Sequence, residues 1–228
     1  MEQVAKRVPV IAGTGSNCTA EAIEITQKAK DVGADGALLV TPYYNKPTQE
    51  GLYRHYMAVA NAVSLPQILY NVPGRTGINL LPETVARLAE HPNIVAIKEA
   101  TGSLQQGSEV LALCGDKIDV FSGDDFITFP MMACGAKGII SVLANIMPRT
   151  VADLVHAFLA GDLEKARQLH LKTLKISSAM FIESNPVPVK TALELMGIAS
   201  ADVRLPLCEM ADANKAKLTA IMKEYKLI

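Results

Sequence analysis

Residues 94–98 read IVAIK, an apolar run that ends in a lysine. A run without polar alternation is typical of a parallel strand buried on both faces. Similar runs lie on both sides of it along the chain, at residues 8–13, 36–40, 67–71, 118–122 and 138–142. The sequence therefore predicts a parallel sheet of six buried strands.

Segments with helical periodicity separate these runs. They cover residues 19–33, 48–64, 81–93, 103–116 and 127–136. Their Thr, Ser or Leu-Pro starts, and the Gly near several of their ends, fit the usual signals for helix entry and exit. Strand starts recur every 20 to 31 residues, and the units of a (β/α)8 barrel average about 31 residues. This period favours a barrel over a doubly wound sheet.

After the sixth run the chain is helical to its end. The helical segments lie near residues 147–160, 162–182, 186–197 and 209–226. Because a closed barrel of this class has eight strands, the predicted fold is an α/β chain of the (β/α)8 TIM-barrel family that lacks its first two βα units and carries a C-terminal helical extension. We expect residues 1–160 to form the partial barrel and residues 161–228 the extension.

The composition points away from several function classes. The formal net charge is −1 and the pI is about 6.4, so the chain offers no basic patch for nucleic acid. No apolar run reaches the ~20 residues of a membrane span, and the predicted location is cytoplasmic. Four widely spaced cysteines without a CxxC pair are interpreted as core thiols in a reducing compartment. We expect a small-molecule substrate, no metal and no cofactor.

Lys98 lies where a barrel enzyme places its chemistry. Active-site groups of such barrels project from the C-terminal ends of the strands, and Lys98 ends its run. The period of two puts it on the same face as Ile94 and Ala96. If that face is the barrel interior, desolvation lowers the pKa of the amine, which an imine-forming nucleophile requires near neutral pH. The alternative is a lysine that extends to solvent or pairs with Glu99.

Tyr70 ends the preceding strand, in phase with Ile68. Neighbouring parallel strands are about 4.8 Å apart, so Tyr70 and Lys98 are expected to approach each other. A phenol in that position can relay protons between a carbinolamine and its leaving water; the alternative is a core tyrosine bonded to the backbone. Arg75 follows in a glycine-punctuated loop, where its planar fork suits a substrate carboxylate. Charge alone fits an ordinary exposed loop cation equally well.

The remaining strand ends carry weaker signals. Tyr43 and Tyr44 stand between prolines, which suits an interface, a site rim or a packed loop over the barrel mouth. Gly123 is a candidate substrate-lining residue. Asp124 and Asp125 could form a metal pair, but no His or Cys stands near them. They are interpreted instead as helix caps before residues 127–132.

Four motifs together carry a family resemblance. They are PYYNKP at 42–47, YNVPGRTG at 70–77, IVAIKEATG at 94–102 and GIISV at 138–142. In this order and spacing they resemble the dihydrodipicolinate synthase / N-acetylneuraminate lyase family of class I aldolase barrels. The resemblance implies an enzyme of lysine biosynthesis that condenses pyruvate with L-aspartate 4-semialdehyde. It also implies that Lys98 forms the pyruvate Schiff base, that Tyr70 relays protons and that Arg75 holds the semialdehyde carboxylate.

Further roles follow from the same resemblance. Tyr44 would reach into the site of a neighbouring subunit across a tight-dimer interface, which implies a homo-oligomer. Backbone near Ile140 would line the pyruvate pocket, together with Gly123. An inhibitory L-lysine site would include Asn17, Glu21 and Tyr43. A sialic acid lyase is the alternative within the family, although the arginine of the YNVPGRTG loop favours the synthase.

One motif of the family is missing from the sequence. Family members carry a Gly-Thr-Thr-Gly-Glu motif whose threonines bind the pyruvate carboxylate and complete a hydroxyl relay, and these 228 residues do not contain it. Loss of such general acid/base help costs about 10²–10⁴-fold in rate. The expectation is a synthase with impaired activity. The alternative is a catalytically inactive, truncated remnant of the fold.

Overall fold

A computed structural model describes the whole chain, from Met1 to Ile228. Its sheet has six strands in the order β1-β2-β3-β4-β5-β6. They are β1 (Ile11–Gly13), β2 (Gly36–Val40), β3 (Gln67–Asn71), β4 (Ile94–Glu99), β5 (Asp119–Ser122) and β6 (Gly138–Ile139). Neighbouring strands from β1 to β5 pair in parallel. Because spatial order follows chain order, each connection crosses to the adjacent strand, as the βα pattern predicts.

The chain has ten α-helices, of which α1 to α6 lie between the strands and α7 to α10 follow the last strand. They are α1 (Thr19–Asp31), α2 (Gln49–Ala62), α3 (Pro73–Thr76), α4 (Pro82–Leu88), α5 (Leu104–Cys114), α6 (Thr128–Ala133), α7 (Pro148–Leu159), α8 (Leu163–Ala179), α9 (Val187–Leu195) and α10 (Asp212–Glu224). Short 3₁₀ turns lie at Asp125–Ile127 and Leu143–Asn145. None of the helices combines the length and the hydropathy that a membrane span requires.

Local chemistry explains where several helices begin. The side chain of Thr48 accepts a hydrogen bond from the Gly51 amide at the start of α2, and Ser103 accepts one from the Gln106 amide at the start of α5. Each of these caps satisfies an amide that the first turn leaves unpaired. The starts at Thr48 and Ser103 are thus confirmed as caps, whereas Thr19 is the first residue of α1 and Cys18 precedes it without a side-chain cap. The caps at Thr48 and Ser103 set the residues at which α2 and α5 begin.

The chain divides into two compact units. The first comprises Met1–Gly123 and Pro130–Gly138, and the second comprises Asp124–Phe129 and Ile139–Ile228. In the first, side chains such as those of Leu39, Leu69 and Ile97 are fully buried on the sheet. In the second, the core is a cluster of helix residues that includes Leu143, Ile176, Met180, Leu218 and Met222. Each unit therefore has its own apolar core.

Strand β6 covers only Gly138–Ile139 of the apolar run at residues 138–142. The residues that follow it show that the interpretation of Asp124 and Asp125 as helix caps is wrong. The hydroxyl of Ser141 donates to Asp125 at 2.5 Å, and the amides of Val142 and Leu143 donate to the same carboxylate at 3.1 Å. The chain turns there instead of continuing as a strand. The helix-cap role expected for the aspartate pair is wrong: Asp124 precedes the 3₁₀ turn without a side-chain cap, and Asp125 holds a distant turn.

The interpretation of the cysteines is also largely wrong. Only Cys114 is buried, whereas Cys18, Cys134 and Cys208 are exposed. Cys18 precedes α1 and Cys134 follows α6, so both stand at helix boundaries rather than on core-facing turns. Hydrophobicity of the residue type alone did not determine which thiols are buried.

Candidate active site

The register of β3 and β4 brings two predicted site residues side by side. Tyr70 is the register partner of Lys98, and Asn71 is the partner of Glu99. The Lys98 Nζ lies 4.1 Å from the centroid of the Tyr70 ring. Both side chains are half-buried. The approach that the strand spacing predicts is therefore present in the structure.

The contact between these two residues has a definite electrostatic character. An ammonium over the face of an aromatic ring is attracted by the ring quadrupole, with about 0.5–2 kcal/mol depending on desolvation. Glu99, the alternative partner of Lys98, has its two carboxylate oxygens occupied by amide donors, among them the Thr101 amide at 2.7 Å and the Asn71 side chain at 3.0 Å. Lys98 thus packs on the Tyr70 ring, while the neighbouring Glu99 carboxylate accepts hydrogen bonds from Asn71 and Thr101.

Gly123 leaves the space that the lysine stem occupies. It follows β5, and its amide donates to the Glu99 carbonyl at 2.7 Å. A Cβ at this position would lie 2.5 Å from the Ala100 Cβ and 3.1 Å from the Lys98 Cε. Real Cβ atoms do not approach neighbours so closely, so only glycine fits here without displacing backbone or the lysine.

Arg75 lies in the loop that follows β3. The short helix α3 carries it, and the loop ends after Gly77, whose φ of +73° is in the left-handed region that glycine favours. The buried Thr76 hydroxyl donates to carbonyls of the same loop, at 3.2 Å to Val72 and 3.0 Å to Ile78. Arg75 itself is exposed. A guanidinium is thereby presented at the end of the strand next to that of Lys98.

The loop after β2 places its two tyrosines differently. Tyr44 is 86% exposed and has a φ of +71°, in the left-handed region. The Tyr43 carbonyl accepts from the Asn17 side chain at 3.2 Å. Glu21 is exposed and accepts from the Ser16 hydroxyl at 2.8 Å. The structure thus brings Asn17 and Tyr43 together and directs the Tyr44 side chain outward.

Ile140 belongs to the second unit. It is half-buried and follows β6 directly, one residue before the Ser141 hydroxyl that donates to Asp125. Its backbone is therefore fixed by the turn that this carboxylate holds. No group of three or more His, Cys, Asp or Glu side chains in the chain is arranged to hold a metal ion.

One group of functional candidates escaped the sequence interpretation. A polar network joins Asn71 and Glu99, which are buried at the strand ends, to Asn79 and Gln106, which are half-buried. Burial raises the pKa of the Glu99 carboxyl, and the hydrogen bonds that it accepts lower it by less. A polar residue at the end of an otherwise apolar strand is the signal that could have identified Asn71 and Glu99. Their partners, however, are brought to them only by the fold.

Comparison with known proteins gives this geometry its class. The family model described as dihydrodipicolinate synthetase family matches residues 1–225. The chain therefore belongs to the dihydrodipicolinate synthetase family. The resemblance found in the four motifs and the enzyme class that it implies are thus confirmed.

Individual relatives make the similarity more specific. A 4-hydroxy-tetrahydrodipicolinate synthase of Geobacter metallireducens is 81% identical over 228 residues, which are all of this chain and 79% of that protein. A chloride-inhibited dihydrodipicolinate synthase from Acinetobacter baumannii complexed with pyruvate is 50% identical, with a TM-score of 0.97 over all of this chain and 78% of that one. The enzyme from Cyanidioschyzon merolae with lysine bound is 41% identical, with a TM-score of 0.93 over 96% of this chain and 75% of that one.

These structures also confirm the fold class. The chain is an α/β protein of the TIM-barrel family with six parallel strands present and a helical C-terminal extension. It matches about four fifths of the length of these relatives.

Proposed function

We propose that this chain condenses pyruvate with L-aspartate 4-semialdehyde through a Schiff base on Lys98. The observation that supports this proposal most directly is the Lys98 amine 4.1 Å from the centre of the Tyr70 ring, at the C-terminal ends of neighbouring parallel strands. Such strand ends are where barrels of this class carry catalytic groups. Membership of the family and the pyruvate complex of a relative give the same direction.

The chemistry requires a nucleophilic amine and a mobile proton. The neutral Lys98 amine adds to the ketone carbon of pyruvate, and the resulting carbinolamine loses water to leave the imine. The Tyr70 hydroxyl supplies a proton to the leaving water and takes one from the nitrogen, so its net protonation is unchanged. The methyl proton of the imine then passes to the imine nitrogen, which gives an enamine. The enamine carbon attacks the aldehyde, and the N–H proton passes to the oxygen that becomes the new hydroxyl group.

Three further residues position the substrates in this proposal. Arg75 holds the semialdehyde carboxylate through its planar fork. Gly123 keeps the space beside the lysine stem open. The backbone near Ile140 lines the pyruvate pocket. Each role is an extension of the family resemblance to the residue that stands at the matching position in this chain.

The assembly and its regulation are also part of the proposal. Tyr44, directed outward in the structure, completes the site of a second copy in a homo-oligomer. Asn17, Glu21 and Tyr43 bind inhibitory L-lysine, and a relative is known with lysine bound. Inhibition by L-lysine in the coupled assay, and its loss in Asn17→Ala, tests the second statement. Sedimentation of the chain and of Tyr44→Ala tests the first.

The activity of the 228-residue chain by itself is expected to be low. Its sequence contains no Gly-Thr-Thr-Gly-Glu motif, so the proton relay has one hydroxyl fewer than in the family pattern. Groups of this kind supply about 10²–10⁴-fold in rate. A turnover equal to that of a relative with the motif would contradict this part of the proposal.

Trapping with borohydride tests the central step. Reduction in the presence of pyruvate is expected to add the mass of one reduced pyruvate adduct to the chain, and Lys98→Ala is expected to abolish it. Lys137→Ala, which removes an exposed lysine elsewhere, is the matched control and should retain the adduct. Absence of an adduct in the unaltered chain would refute the Schiff base and favour the inactive remnant. Cleavage of N-acetylneuraminate by the same preparation would favour the sialic acid lyase.

A further inference from the structure

A buried carboxylate lies directly behind the candidate site. Glu99 is the last residue of β4 and is 1% exposed. One of its oxygens accepts from the Thr101 amide at 2.7 Å, and the other accepts from the side-chain amides of Asn71 at 3.0 Å and Gln106 at 3.3 Å. A buried carboxylate is costly unless hydrogen bonds compensate it. Here all of these partners are neutral donors.

Asn71 passes this interaction on to the loop that carries Arg75. Asn71 is the last residue of β3 and is fully buried. Its Nδ2 donates to Glu99, and its Oδ1 accepts from the Leu80 amide at 3.0 Å. The loop therefore starts at Asn71 and is tied back to the same residue where it ends. Arg75 lies between these two points.

A second tie involves α5. The Gln106 side chain accepts from the Asn79 Nδ2 at 2.7 Å and donates to the Leu80 carbonyl at 3.2 Å. Asn79 is also joined to Asn71 at 2.8 Å. The end of the loop that carries Arg75 is thus held by the side chains of Asn71, Asn79 and Gln106. Two of these, Asn71 and Gln106, donate to Glu99.

The order of donors and acceptors in this network is fixed by the carboxylate. Glu99 accepts from each of the amides that face it, so the Asn71 amide turns its nitrogen to Glu99 and its oxygen to the Leu80 amide. A side-chain amide at position 99 would present a donor on one side. It would leave two donors facing each other, or it would favour the flipped Asn71 amide, which no longer accepts from Leu80.

We infer that Glu99 is a positioning residue, which fixes the orientation of the Asn71 amide and thereby holds the loop of Arg75 in the place where that arginine meets a substrate carboxylate. The second half of this inference rests on the proposed function, and the first half does not. Glu99 touches no reacting atom in this scheme. It acts through Asn71 and the loop base.

Limited proteolysis tests whether Glu99 anchors the loop, and this assay does not require the chain to be active. Trypsin cleaves after Arg75 when the loop opens, and the rate follows the open population. Glu99→Gln is expected to raise cleavage after Arg75 about tenfold, since the Asn71 and Gln106 amides no longer share one acceptor and a hydrogen bond is lost. Gln106→Met is expected to raise it less. Cleavage after the exposed Arg54 on α2, in the same compact unit as Arg75, reports unfolding of that unit and should stay unchanged.

Glu109→Gln supplies the matched control. Glu109 is an exposed glutamate of α5 that accepts only from Gln105, at 2.9 Å. Equal cleavage after Arg75 in Glu99→Gln, Gln106→Met and this control would overturn the anchoring, and so would an equal rise at Arg54. If Glu99→Gln does not fold, Gln106→Met alone decides the outcome.

Steady-state kinetics test the consequence for the substrate. Glu99→Gln is expected to raise the KM for the semialdehyde about tenfold, with the KM for pyruvate and the trapped imine within about twofold. Equal loss for both substrates would overturn the selective role. If the unaltered chain forms no imine, the proposed function fails, and the proteolysis result still decides whether Glu99 anchors the loop.

Discussion

The ends of β3 and β4 and the loop at residues 41–47 both present tyrosines, but in opposite ways. At the strand ends, the Tyr70 ring is half-buried and packs on the Lys98 amine, whose position is set by strand register. In the loop, Tyr44 is 86% exposed on backbone in the left-handed region. One tyrosine is positioned by its own chain, and the other has a backbone conformation that its side chain does not favour.

The difference shows which functions one chain can assemble alone. Left-handed backbone costs a non-glycine residue about 1–2 kcal/mol. At Tyr44 the amide donates to the Thr76 carbonyl at 3.3 Å, but the ring is 86% exposed and buries little area. Strand register, by contrast, places Tyr70 and Lys98 opposite each other through the hydrogen bonds of the sheet itself. Tyr70 and Lys98 are therefore brought together within one chain, without a second copy. In the loop, strand register does not place Tyr44, whose side chain is 86% exposed.

The largest effect is expected from removing the hydroxyl at the strand ends. Tyr70→Phe keeps the ring under the ammonium and removes the proton carrier. Turnover in the coupled assay should fall by about 10²–10⁴-fold, while borohydride with pyruvate still traps an adduct on Lys98. Tyr53→Phe, an α2 residue whose ring packs under the Arg87 guanidinium at 4.0 Å, is the control. Unchanged turnover in Tyr70→Phe would remove the phenol from the mechanism.

A smaller loss is expected from filling the space next to Lys98. Gly123→Ala places a methyl group 3.1 Å from the Lys98 Cε and 2.5 Å from the Ala100 Cβ, so Ala100 or the Gly123 backbone must shift and the lysine stem is crowded. A misplacement of the amine by about 1 Å costs about 10²-fold in rate, and we expect a loss up to that size. Gly74→Ala adds the same methyl group where nothing lies within 4 Å and should leave the rate unchanged. Similar rates for the two variants would show that the lysine adapts freely.

Glu99, which is buried at the end of β4, gives a pH-dependent prediction. Burial raises the pKa of Glu99 above its ordinary value, so the folded state holds this proton more tightly than the unfolded state. The resulting stability is fully present below the pKa of an unfolded glutamate and is lost as pH rises through the folded pKa. We expect the unfolding free energy of the chain, minus that of Glu99→Gln, to decrease as pH rises through this window. Urea unfolding across that range measures it, and the opposite slope would contradict burial as the dominant cause.

The smallest effect is expected in the loop. Tyr44→Asn replaces a ring that buries little within the chain by a residue that tolerates left-handed backbone. We expect a gain in unfolding free energy of about 1 kcal/mol or less, measured by urea unfolding. Tyr43→Asn, at a position without positive φ, is the control and should give no gain. A clear loss of stability in Tyr44→Asn would mean that the ring is supported within the chain, and the contrast with Tyr70 would disappear.

The sequence predicted the half of the site that follows from strand periodicity. Tyr70 and Lys98 each end a strand, and neighbouring parallel strands place equivalent ends together, so their approach needed no further information. The role of Asp125 was misinterpreted, because its partners begin 16 residues later at Ser141. A local pattern favours a local cap, and only the fold brings a distant turn within reach of the carboxylate.

The polar network shows the same limit. Glu99 and Gln106 are seven residues apart, and Asn71 is 28 residues from Glu99. No period links them, and each alone is a common polar residue at the end of an element. Their contact depends on three segments meeting behind the strands, which sequence patterns do not encode one segment at a time.

The amino-acid sequence by itself determined the element order, the parallel sheet, the family and the pair Tyr70 and Lys98. These follow from short-range periodicity and from motifs that are contiguous in the chain. The tertiary structure decided that only glycine fits beside the lysine, that the Tyr44 ring points outward, and that Glu99 faces Asn71. Such features depend on distances between segments far apart in sequence, and close packing sets those distances only once all the segments are in place.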